Sequence, residues 1–382
     1  MKILLAGGGT AGHINPAIAI ANYIKEQEPN SQFLFVGTRN GLETSLVPHS
    51  GYDIKYIDIR GFERKINLRN FKNLFKVVRS CFEAKKIIRE FAPDVIIGTG
   101  GYVSGPVLYM GAKLKIPTII HESNALAGLT SKVLARYVDV VALAFPDANG
   151  RFAKAKRVEV TGNPIRPSIL KTGKNEARRK LELDERPFVL AFGGSLGAAA
   201  LNYAMVDMLT ANEMPFQLLF ATGKNYYQRV LNELQLRGVL ETQSSNTRQA
   251  SPATLFTKEG RKREVNVVEY IYDMDIALAA ADLVICRCGA TTISELCALG
   301  KASILIPSPN VTDNHQEFNG RAVANIGGGT LILEQDLTGD KLSREVGKML
   351  DNRNFENYGA AARKLGVTNA TRKIYRLVLD LK

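Results

Sequence analysis

The stretch Ile3-Leu4-Leu5-Ala6-Gly7-Gly8-Gly9-Thr10-Ala11-Gly12-His13 joins a short apolar run directly to a glycine-rich segment. The same arrangement returns near the middle of the chain, where Val189-Leu190-Ala191-Phe192 leads into Gly193-Gly194-Ser195-Leu196-Gly197. A buried strand, a glycine loop and a helix, in that order, are typical of the unit that opens a Rossmann-like domain. Two such units in one chain therefore predict two Rossmann-like domains.

Further apolar runs alternate with helix-length spacers through both halves of the chain. Runs that are rich in β-branched residues and spaced in this way indicate parallel strands with helices on both faces of the sheet. The predicted fold class is therefore α/β, with two doubly wound parallel sheets. The predicted strands are residues 2–6, 32–36, 95–98, 118–121 and 138–142 in the first half, and 188–192, 217–221, 265–268, 283–286 and 303–306 in the second.

The length of 382 residues also favours two domains, since a domain usually has roughly 150 residues. The boundary is predicted in the turn-rich stretch Gly162-Asn163-Pro164-Ile165-Arg166-Pro167, which gives domains of about 1–163 and 164–360. Residues 242–263 are rich in Ser, Thr, Asn and Gln, and a loop of this length inside a compact domain is usually functional or disordered. This stretch is predicted to be a mobile insertion in the second domain.

Fifty Lys and Arg against thirty-seven Asp and Glu give the chain a net charge of +13, which favours an anionic partner. Nucleic acid, an acidic membrane and a phosphorylated substrate would each satisfy this charge. The hydrophobic fraction of 45% excludes a disordered chain, and the sequence contains no apolar run of about 18 residues that could span a bilayer. Because glycine follows the first apolar residues too soon for a signal peptide, we expect a cytoplasmic protein whose membrane contact is peripheral.

Over half of the excess charge lies between residues 60 and 90, where ten Lys or Arg and three Glu give +7. At about 100° per residue, one helical face is predicted to pack on the sheet, and it comprises Leu74, Val77, Cys81, Ala84 and Ile88. A second, aromatic face borders a row of basic residues, and this combination is typical of a helix that lies on a membrane surface. The predicted membrane-binding residues are Phe71, Lys72, Phe75, Lys76, Arg79 and Phe82.

Each basic residue near an anionic surface contributes about 1 kcal/mol, so this helix predicts reversible adhesion rather than permanent anchoring. A broad core face with solvated lysines is the alternative interpretation. No recognised nucleic-acid-binding module accompanies the basic residues in the sequence, which makes nucleic acid the least favoured of the three anionic partners.

The two glycine loops can bring backbone N–H groups close to a phosphate at the start of the helix that follows. The first loop matches G-x-G-x-x-G, but Gly37-Thr38-Arg39 stands after the second strand instead of a clear acidic ribose partner. Neither loop contains the Gly-Lys-Ser/Thr of a Walker A motif. Glycine turns that only allow close packing of helix on sheet are the alternative.

His13 lies at the predicted start of the first helix. Because a helix N-terminus disfavours the imidazolium ion, a neutral His13 is a candidate general base, and local hydrogen bonding is the alternative role. His121-Glu122-Ser123-Asn124 follows another strand, and this polar cluster is predicted to bind a polar ligand. Asp313-Asn314-His315-Gln316 offers groups suited to sugar hydroxyls, with a simple polar turn as the alternative.

In the second half, Arg287-Cys288-Gly289-Ala290-Thr291-Thr292-Ile293-Ser294-Glu295 also follows a strand and opens a helix. Its small and hydroxyl-bearing residues could donate hydrogen bonds to phosphate, and Glu295 could accept them from a ribose diol. A capping box formed by Thr292 and Glu295 is a compatible alternative, worth about 1 kcal/mol.

Two further motifs resemble metal sites. Asp273-Met274-Asp275 has the D-x-D pattern of some metal-dependent glycosyltransferases, but it precedes a helical stretch for which Asp273 is predicted to be the N-cap. Cys286-Arg287-Cys288 has no second pair with zinc-ligand spacing in the sequence. We therefore expect no cofactor and no obligatory metal, and the four cysteines suit a reducing compartment.

Taken together, these motifs resemble the MurG family of peptidoglycan glycosyltransferases, in order and over essentially the whole chain. The motifs that carry the resemblance are Gly8-Gly9-Thr10-Ala11-Gly12-His13, Gly100-Gly101-Tyr102-Val103-Ser104-Gly105-Pro106, His121-Glu122-Ser123-Asn124, Gly162-Asn163-Pro164-Ile165-Arg166, Gly193-Gly194-Ser195, the 286–295 loop and Thr312-Asp313-Asn314-His315-Gln316. Four positions differ from the family pattern: Ala11 and Cys288 stand where glycine and serine are usual, and Ser123 and Leu196 stand where glutamine is usual.

The resemblance implies a GT-B fold, in which two Rossmann-like domains face a cleft and a C-terminal helix at about 361–382 crosses back to the first domain. The acceptor would bind the first domain and the donor, UDP-N-acetylglucosamine (UDP-GlcNAc), mainly the second. The implied reaction moves N-acetylglucosamine to the 4-hydroxyl of N-acetylmuramic acid in lipid I, with inversion, and forms lipid II for peptidoglycan synthesis. Implied partners are UDP-GlcNAc as a substrate, lipid I, an anionic membrane surface and other cell-wall synthesis proteins. The implied location is peripheral, on the cytoplasmic face of the bacterial cell membrane, with a role in cell shape and division.

The resemblance also implies roles for individual residues. His13 would be the base, Arg166 and Ser195 would bind the diphosphate, and the backbone of Ile271 would bind uracil. The remaining residues would contact the phosphate, ribose or sugar of the donor, and they are Thr10, Ala11, Gly12, Asn124, Ala290, Thr291, Thr292, Ile293, Ser294, Glu295 and Gln316. A UDP-GlcNAc 2-epimerase of the same fold and a non-catalytic nucleotide-sugar-binding membrane protein are the alternative functions.

Overall fold

The structure is a computed structural model that describes residues 1–59, 68–211, 215–239, 253–256 and 262–382. Side chains are described for these residues except 68–75, 253–256 and 262–264. The chain forms two compact units: unit 1 comprises Met1–Ile165 and Val367–Lys382, and unit 2 comprises Arg166–Gly366. The chain thus enters unit 2 inside the turn-rich stretch Gly162-Asn163-Pro164-Ile165-Arg166-Pro167.

Unit 1 is built on a parallel sheet. Its elements up to the first crossing are β1 (Lys2–Gly7), α1 (Ala11–Gln27), β2 (Gln32–Gly37), α2 (Glu43–His49), β3 (Asp53–Tyr56), α3 (Leu68–Phe91), β4 (Val95–Gly100), α4 (Ser104–Lys113), β5 (Thr118–Glu122), α5 (Leu129–Leu134), β6 (Val140–Leu143) and β7 (Val158–Val160). The strands lie in the order β3-β2-β1-β4-β5-β6-β7, and every neighbouring pair is parallel.

The central strands of unit 1 are buried on both faces. Leu4 and Ala6 of β1 belong to the core beneath α3, α4 and α5, whereas Ile3 and Leu5 belong to the core beneath α1 and α2. Successive side chains of a strand point to opposite faces, so a strand covered on both sides must be apolar at every position. This requirement explains the continuous apolar run at the start of the chain.

Unit 2 has the same layout. Its elements are α6 (Lys174–Lys180), β8 (Phe188–Phe192), α7 (Ala199–Ala211), β9 (Gln217–Ala221), α8 (Tyr227–Leu236), β10 (Ala253–Phe256), β11 (Lys262–Val268), α9 (Met274–Ala280), β12 (Leu283–Cys286), α10 (Ala290–Leu299), β13 (Ala302–Leu305), α11 (His315–Ala324), β14 (Gly329–Leu331), α12 (Gly339–Leu350) and α13 (Phe355–Arg363). The strand order is β10-β11-β9-β8-β12-β13-β14, in which β10 is antiparallel to β11 and the other pairs are parallel.

The chain then returns to unit 1 and ends in α14 (Ala370–Leu381). The return begins at Val367 rather than at about 361, because α13 still packs against α10 and β13 of unit 2. Helix α14 packs against α1, and its residues Ile374, Leu377 and Val378 are buried in the core that α1 and α2 cover. Unit 1 is therefore completed by residues from the far end of the chain.

The predicted α/β class with two doubly wound sheets is confirmed, and each of the ten predicted strands is present with bounds that differ by at most three residues from those predicted. The four strands that were not predicted are β3, β7, β10 and β14, which are the edge strands of the two sheets. Edge strands are short and partly exposed, as the alternating exposure of β3 illustrates, so they lack a continuous apolar run.

The predicted mobile insertion at 242–263 is wrong in part. Ala253–Phe256 forms β10, which pairs with Lys262–Val268 in antiparallel register and extends the sheet of unit 2 by one strand. The strand is only the four residues Ala-Thr-Leu-Phe inside a polar stretch, which is too short a run to stand out in the sequence. The other residues of the stretch lie outside the described part of the chain.

Candidate active site

Unit 1 places its candidate residues where β1 ends and α1 begins. Gly9 has a φ of +86°, which glycine adopts without strain, and Thr10 follows in an extended conformation as the last residue before α1. The carbonyl of Thr10 accepts hydrogen bonds from the N–H of His13 at 3.1 Å and of the next residue at 3.2 Å, which starts the helix. Ala11 and Gly12 lie in its first turn and are partly exposed. Because the first N–H groups of a helix lack helical partners, this edge can bind an anionic or polar group.

His13 is oriented by β4. Its Nδ1 lies 3.1 Å from the carbonyl oxygen of Thr99, and the Thr99 hydroxyl donates to the carbonyl of His13 at 2.7 Å. Because a carbonyl oxygen can only accept, Nδ1 carries the proton of this hydrogen bond, so in the neutral form of the ring Nε2 is the unprotonated nitrogen. A Cβ at Gly100 would collide with the imidazole, so glycine is required there. The two partners are 86 residues apart, which argues against a purely local role for His13.

The polar cluster after β5 is mostly internal. His121 is fully buried, its Nε2 donates to the carbonyl of Gly162 at 3.1 Å, and burial lowers the pKa of His121 to about 4. The buried carboxylate of Glu122 accepts hydrogen bonds from the backbone and side-chain amides of Asn124 at 3.0 and 3.2 Å, and from the N–H of Gly128 at 3.0 Å. Of the four clustered residues, Asn124 alone is partly exposed, and the other three shape its loop.

In unit 2, Glu295 and Arg166 form an ion pair. Oε1 of Glu295 lies 3.2 Å from Nε of Arg166, and the two side chains are 7% and 45% exposed, respectively. Burial raises the pKa of Glu295, and Arg166 offsets this rise only in part. The carboxylate is therefore poorly compensated, and Arg166 remains exposed enough to meet an anionic ligand.

The start of α10 differs from the predicted capping box, which is wrong. The helix begins at Ala290 with Gly289 as its N-cap, so Thr292 lies inside the first turn, and Glu295 binds Arg166 instead of reaching back to the backbone. Glycine offers no side-chain oxygen to the N–H groups of the first turn. An external anion could accept their hydrogen bonds.

Residues 290–295 divide into two sets. Thr291, Thr292 and Ser294 are partly exposed, whereas the side chain of Ile293 is buried in the core. Oγ1 of Thr291 is buried and has no hydrogen-bond partner among the described atoms, and Ser294 donates to the carbonyl of Ala290 at 2.8 Å. The hydroxyl of Thr291 could therefore donate a hydrogen bond to a ligand at the helix start.

Three other predicted residues follow neighbouring strands of unit 2. Ser195 is exposed after β8, and Ile271 is 7% exposed after β11. Gln316 lies in the first turn of α11, where its Oε1 accepts a hydrogen bond from the N–H of Ser308 at 2.9 Å. Because the carboxyl ends of parallel strands meet at one edge of a sheet, these residues and the start of α10 share that edge.

The two motifs that resemble metal sites lie at the start of α9 and at the end of β12. Asp273 directly precedes α9 as predicted, although its side chain makes no capping hydrogen bond. Cys286, Cys288 and Cys297 are buried free thiols, and burial raises the pKa of Cys286 and of Cys297 to about 12. Within the described ranges, no group of three or more His, Cys, Asp or Glu is arranged to hold a metal ion.

The face of α3 that was predicted to pack on the sheet does so where it is described. Ala84 and Ile88 are buried in the core beneath α3, α4 and α5, and Val77 packs against that core. Cys81 is partly exposed, and the side chain of Leu74 lies outside the described residues. In the described part of the chain, every helix is too short or too polar to traverse a bilayer.

The predicted membrane face of α3 is described for three of its six residues. Phe82 is 67% exposed. Lys76 pairs with Asp58 and Arg79 pairs with Glu83, each at 2.9 Å, so both cations already have carboxylate partners. The side chains of Phe71, Lys72 and Phe75 lie outside the described residues.

One residue of the unit 1 loop was not predicted. Glu43, the first residue of α2, is fully buried, and its carboxylate accepts a hydrogen bond from the N–H of Gly9 at 2.9 Å. Its signal in the sequence is weak, because an acidic ribose partner is expected directly after the second strand, and Glu43 comes several residues later.

Comparison with known protein families assigns the class. A model of the N-terminal domain of glycosyltransferase family 28 matches residues 3–143, and a model of its C-terminal domain matches residues 188–374. The two Rossmann-like units are therefore those of a glycosyltransferase. The chain belongs to glycosyltransferase family 28.

Relatives match the chain over its full length. It is 43% identical to the UDP-N-acetylglucosamine–N-acetylmuramyl-(pentapeptide) pyrophosphoryl-undecaprenol N-acetylglucosamine transferase of Acetivibrio thermocellus, with 100% of this chain and 98% of the relative covered. It is 44% identical to the protein of the same name from Thermoanaerobacter sp., with 100% of both covered. The crystal structure of MurG from Acinetobacter baumannii superposes with a TM-score of 0.78 at 27% identity, and 99% of each chain is covered.

Proposed function

We propose that this protein transfers N-acetylglucosamine from UDP-GlcNAc to the 4-hydroxyl of N-acetylmuramic acid in lipid I and thereby makes lipid II for peptidoglycan synthesis. The full-length identity of 43–44% to transferases named for this reaction supports the proposal over an epimerase. The structural observation that carries it is the imidazole of His13 at the start of α1, whose Nδ1 donates to the carbonyl of Thr99 at 3.1 Å, so that Nε2 is the nitrogen that would take a proton from the acceptor.

In the proposed reaction, Nε2 of His13 takes the proton of the acceptor hydroxyl as the oxygen attacks the anomeric carbon. The new bond forms on the face opposite the leaving group, so an α-linked donor gives a β-linked product. The bond to UDP breaks, and its electron pair leaves with the diphosphate. The carbonyl of Thr99 remains hydrogen-bonded to Nδ1 and stabilises the imidazolium that results.

Unit 2 would hold the donor. Arg166 and Ser195 would bind the diphosphate, together with the N–H groups at the start of α10 and the hydroxyl of Thr291. The developing charge on departing UDP would be met by the Arg166 guanidinium and the helix N-terminus, which supply positive potential without a metal ion. We propose the further donor contacts for the uracil at the backbone of Ile271, the ribose at Glu295 and the sugar at Thr10, Ala11, Gly12, Asn124 and Gln316.

The lipid-linked acceptor requires contact with a membrane surface, and we propose that α3 provides it. The support is the 67% exposure of Phe82 and the 50% exposure of Val78, which lie four residues apart and therefore on the same side of α3. The pairing of Lys76 and Arg79 with carboxylates reduces their pull on anionic lipid, so the aromatic contacts would contribute much of the adhesion. The proposed location is peripheral, on the cytoplasmic face of the cell membrane, where the product would serve cell shape and division.

Incubation with labelled UDP-GlcNAc and a lipid I analogue tests the reaction. We expect label to move to the lipid and UDP to be released in equal amount. Appearance of UDP-N-acetylmannosamine would instead identify a 2-epimerase, and binding of the nucleotide sugar without turnover would identify a non-catalytic protein.

His13→Ala tests the proposed base. Loss of a general base typically costs about 10²- to 10⁴-fold in rate, so kcat should fall in that range while UDP affinity stays within about twofold. His49→Ala is the matched control, because His49 is exposed on α2 and should leave kcat unchanged. Unchanged turnover in His13→Ala would remove His13 as the base.

Sedimentation with anionic liposomes tests the membrane face. Replacement of Phe71, Phe75 and Phe82 by Ser should abolish co-sedimentation while leaving turnover of a water-soluble acceptor intact. Leu236→Ser is the control, since Leu236 is 84% exposed on α8 of unit 2. Persistent binding of the triple variant would mean that another surface contacts the membrane.

A further inference from the structure

Glu43 lies between the loop after β1 and the loop after β2, and it is 0% exposed. Its Oε2 accepts the hydrogen bond from the N–H of Gly9 at 2.9 Å, and its Oε1 accepts hydrogen bonds from the N–H and hydroxyl of Thr38 at 2.8 and 2.7 Å. Burial alone would raise the pKa of Glu43, but the hydrogen bonds from Gly9 and Thr38 outweigh it and lower this pKa. The side chain is therefore an anion at neutral pH.

The space around this carboxylate is closed by residues without side chains. A Cβ at Gly8 would lie 2.5 Å from Oε1 of Glu43, and a Cβ at Gly37 would lie 2.5 Å from its Cγ. A Cβ at Gly41 would overlap Oε2. The side chain of Glu43 therefore packs directly against the backbone of Gly8, Gly37 and Gly41.

Glu43 binds the glycine loop between β1 and α1, the kind of loop that receives a phosphate in many Rossmann-like folds. A glycine loop between the first strand and the first helix offers its N–H groups to an external anion. In unit 1, the N–H of Gly9 is already bound by an internal anion. That N–H group is therefore used within the protein.

We propose that Glu43 is a positioning residue for the transfer reaction: its carboxylate fixes the backbone of the glycine loop and, through that backbone, the first turn of α1 and the imidazole of His13. The connection is short, because Gly9 directly precedes Thr10, whose carbonyl accepts the hydrogen bond from the N–H of His13 at 3.1 Å. The role in turnover rests on the proposed function, whereas the role in fixing the loop does not.

Glu43→Gln is the most informative variant. Its amide oxygen can keep the bonds to Thr38, but its NH₂ group then faces the N–H of Gly9, and two donors cannot bond to each other. We expect kcat to fall roughly 10- to 100-fold, because small displacements of a reacting group cost about that much. Affinity for UDP should stay within about twofold, because the proposed uracil, ribose and diphosphate contacts belong to unit 2. Thr38→Val is the matched control, since it removes one hydrogen bond of Glu43 and keeps the one from Gly9, and its kcat should stay within about threefold.

Hydrogen–deuterium exchange provides a readout that does not depend on activity. Amides of residues 8–13 should exchange about tenfold faster in Glu43→Gln, while those of β5 stay unchanged. Asp139→Asn should give the reverse pattern, because Asp139 accepts hydrogen bonds from the N–H and hydroxyl of Thr118 at 2.9 and 3.1 Å at the start of β5. It should also leave kcat unchanged, although it removes the same kind of carboxylate network from the opposite edge of the sheet.

These results separate the inference from the proposed function. If His13→Ala keeps full turnover, the proposed base is wrong, and the exchange of residues 8–13 still tests Glu43. Exchange in Glu43→Gln that equals wild type, or faster exchange with unchanged kcat, would overturn the positioning role. An equal loss of kcat in Asp139→Asn would also overturn it, since the effect would then be general destabilisation. If Glu43→Gln does not fold, Glu43→Asp serves the same test, because its shorter side chain keeps the charge but cannot reach Gly9 and Thr38 together.

Discussion

Two buried glutamates, one in each unit, differ in how their charge is compensated. Glu43 accepts three hydrogen bonds from Gly9 and Thr38, and they lower its pKa despite full burial. For Glu295, burial raises the pKa, and a single ion pair to the half-exposed Arg166 does not restore the ordinary value. Hydrogen bonds to a carboxylate favour its charged form, whereas burial disfavours it, and the two sites show opposite outcomes of this balance.

The difference indicates two uses of a buried carboxylate. Glu43 has its hydrogen-bonding capacity filled by the protein and belongs to the framework of the loop. The charged form of Glu295 is disfavoured by burial, so a ligand with hydroxyl donors, such as a ribose diol, would stabilise the carboxylate by hydrogen bonding. This contrast can be tested by stability, by affinity and by pH dependence.

The largest expected difference is in stability. Glu43→Ala removes a buried carboxylate that accepts three hydrogen bonds, and at about 1 kcal/mol for each of them the free energy of unfolding should fall by roughly 3 kcal/mol. Glu295→Ala removes a group whose charged form the fold disfavours, so it should cost less than about 1 kcal/mol. Urea unfolding of both variants measures these values. Equal losses would show that the two carboxylates are compensated alike.

The next difference is in nucleotide affinity. Glu295→Gln should weaken UDP binding about tenfold, which corresponds to about 1.4 kcal/mol and to one charged hydrogen bond to the ribose. Glu43→Gln should leave UDP affinity within about twofold, because its contacts lie in the loop of unit 1. Isothermal titration calorimetry measures the UDP affinity of both variants. A weaker UDP complex in Glu43→Gln alone would reverse the assignment of the two residues.

The smallest expected difference is the sign of the pH dependence. The folded pKa of Glu43 is lowered from the ordinary 4.5, so its contribution to stability is present above that value and is lost as pH falls through the folded pKa. The folded pKa of Glu295 is raised from 4.5, so its contribution is present below that value and is lost as pH rises through the folded pKa. The stability of wild type minus Glu43→Gln should therefore increase with pH, and that of wild type minus Glu295→Gln should decrease. Unfolding midpoints from about pH 3 to 7 test this, because the lowered pKa of Glu43 puts its change below 4.5, and slopes of the same sign would contradict it.

Much of the fold was predictable because the central strands are buried on both faces and are therefore apolar throughout. The edge strands β3, β7, β10 and β14 were not predictable by the same signal, since one side of each faces solvent and their sequences are mixed. The polar residues 242–263 illustrate this, because part of the stretch forms an edge pair instead of a mobile loop.

The candidate site was predictable in position and less so in detail. Residues that follow buried strands gather at the carboxyl edge of their own parallel sheet. His13 and Asn124 follow strands of unit 1, and Glu295 follows a strand of unit 2. Their partners are set by tertiary structure: His13 meets Thr99 across 86 residues, and Arg166 meets Glu295 across 129. The capping box was wrong for the same reason, because the carboxylate of Glu295 binds the distant Arg166 and not the backbone at the helix start.

The burial of α14 in unit 1 has a consequence for how the protein is made. A ribosome delivers the sheet of unit 1 first, yet the face of α1 that receives Ile374, Leu377 and Val378 stays uncovered until those residues emerge. Unit 2 is continuous in sequence and can fold as soon as it is synthesised, so it would reach its final state before its neighbour does. During that interval the apolar side chains of unit 1 that these three residues cover would be exposed on the nascent chain.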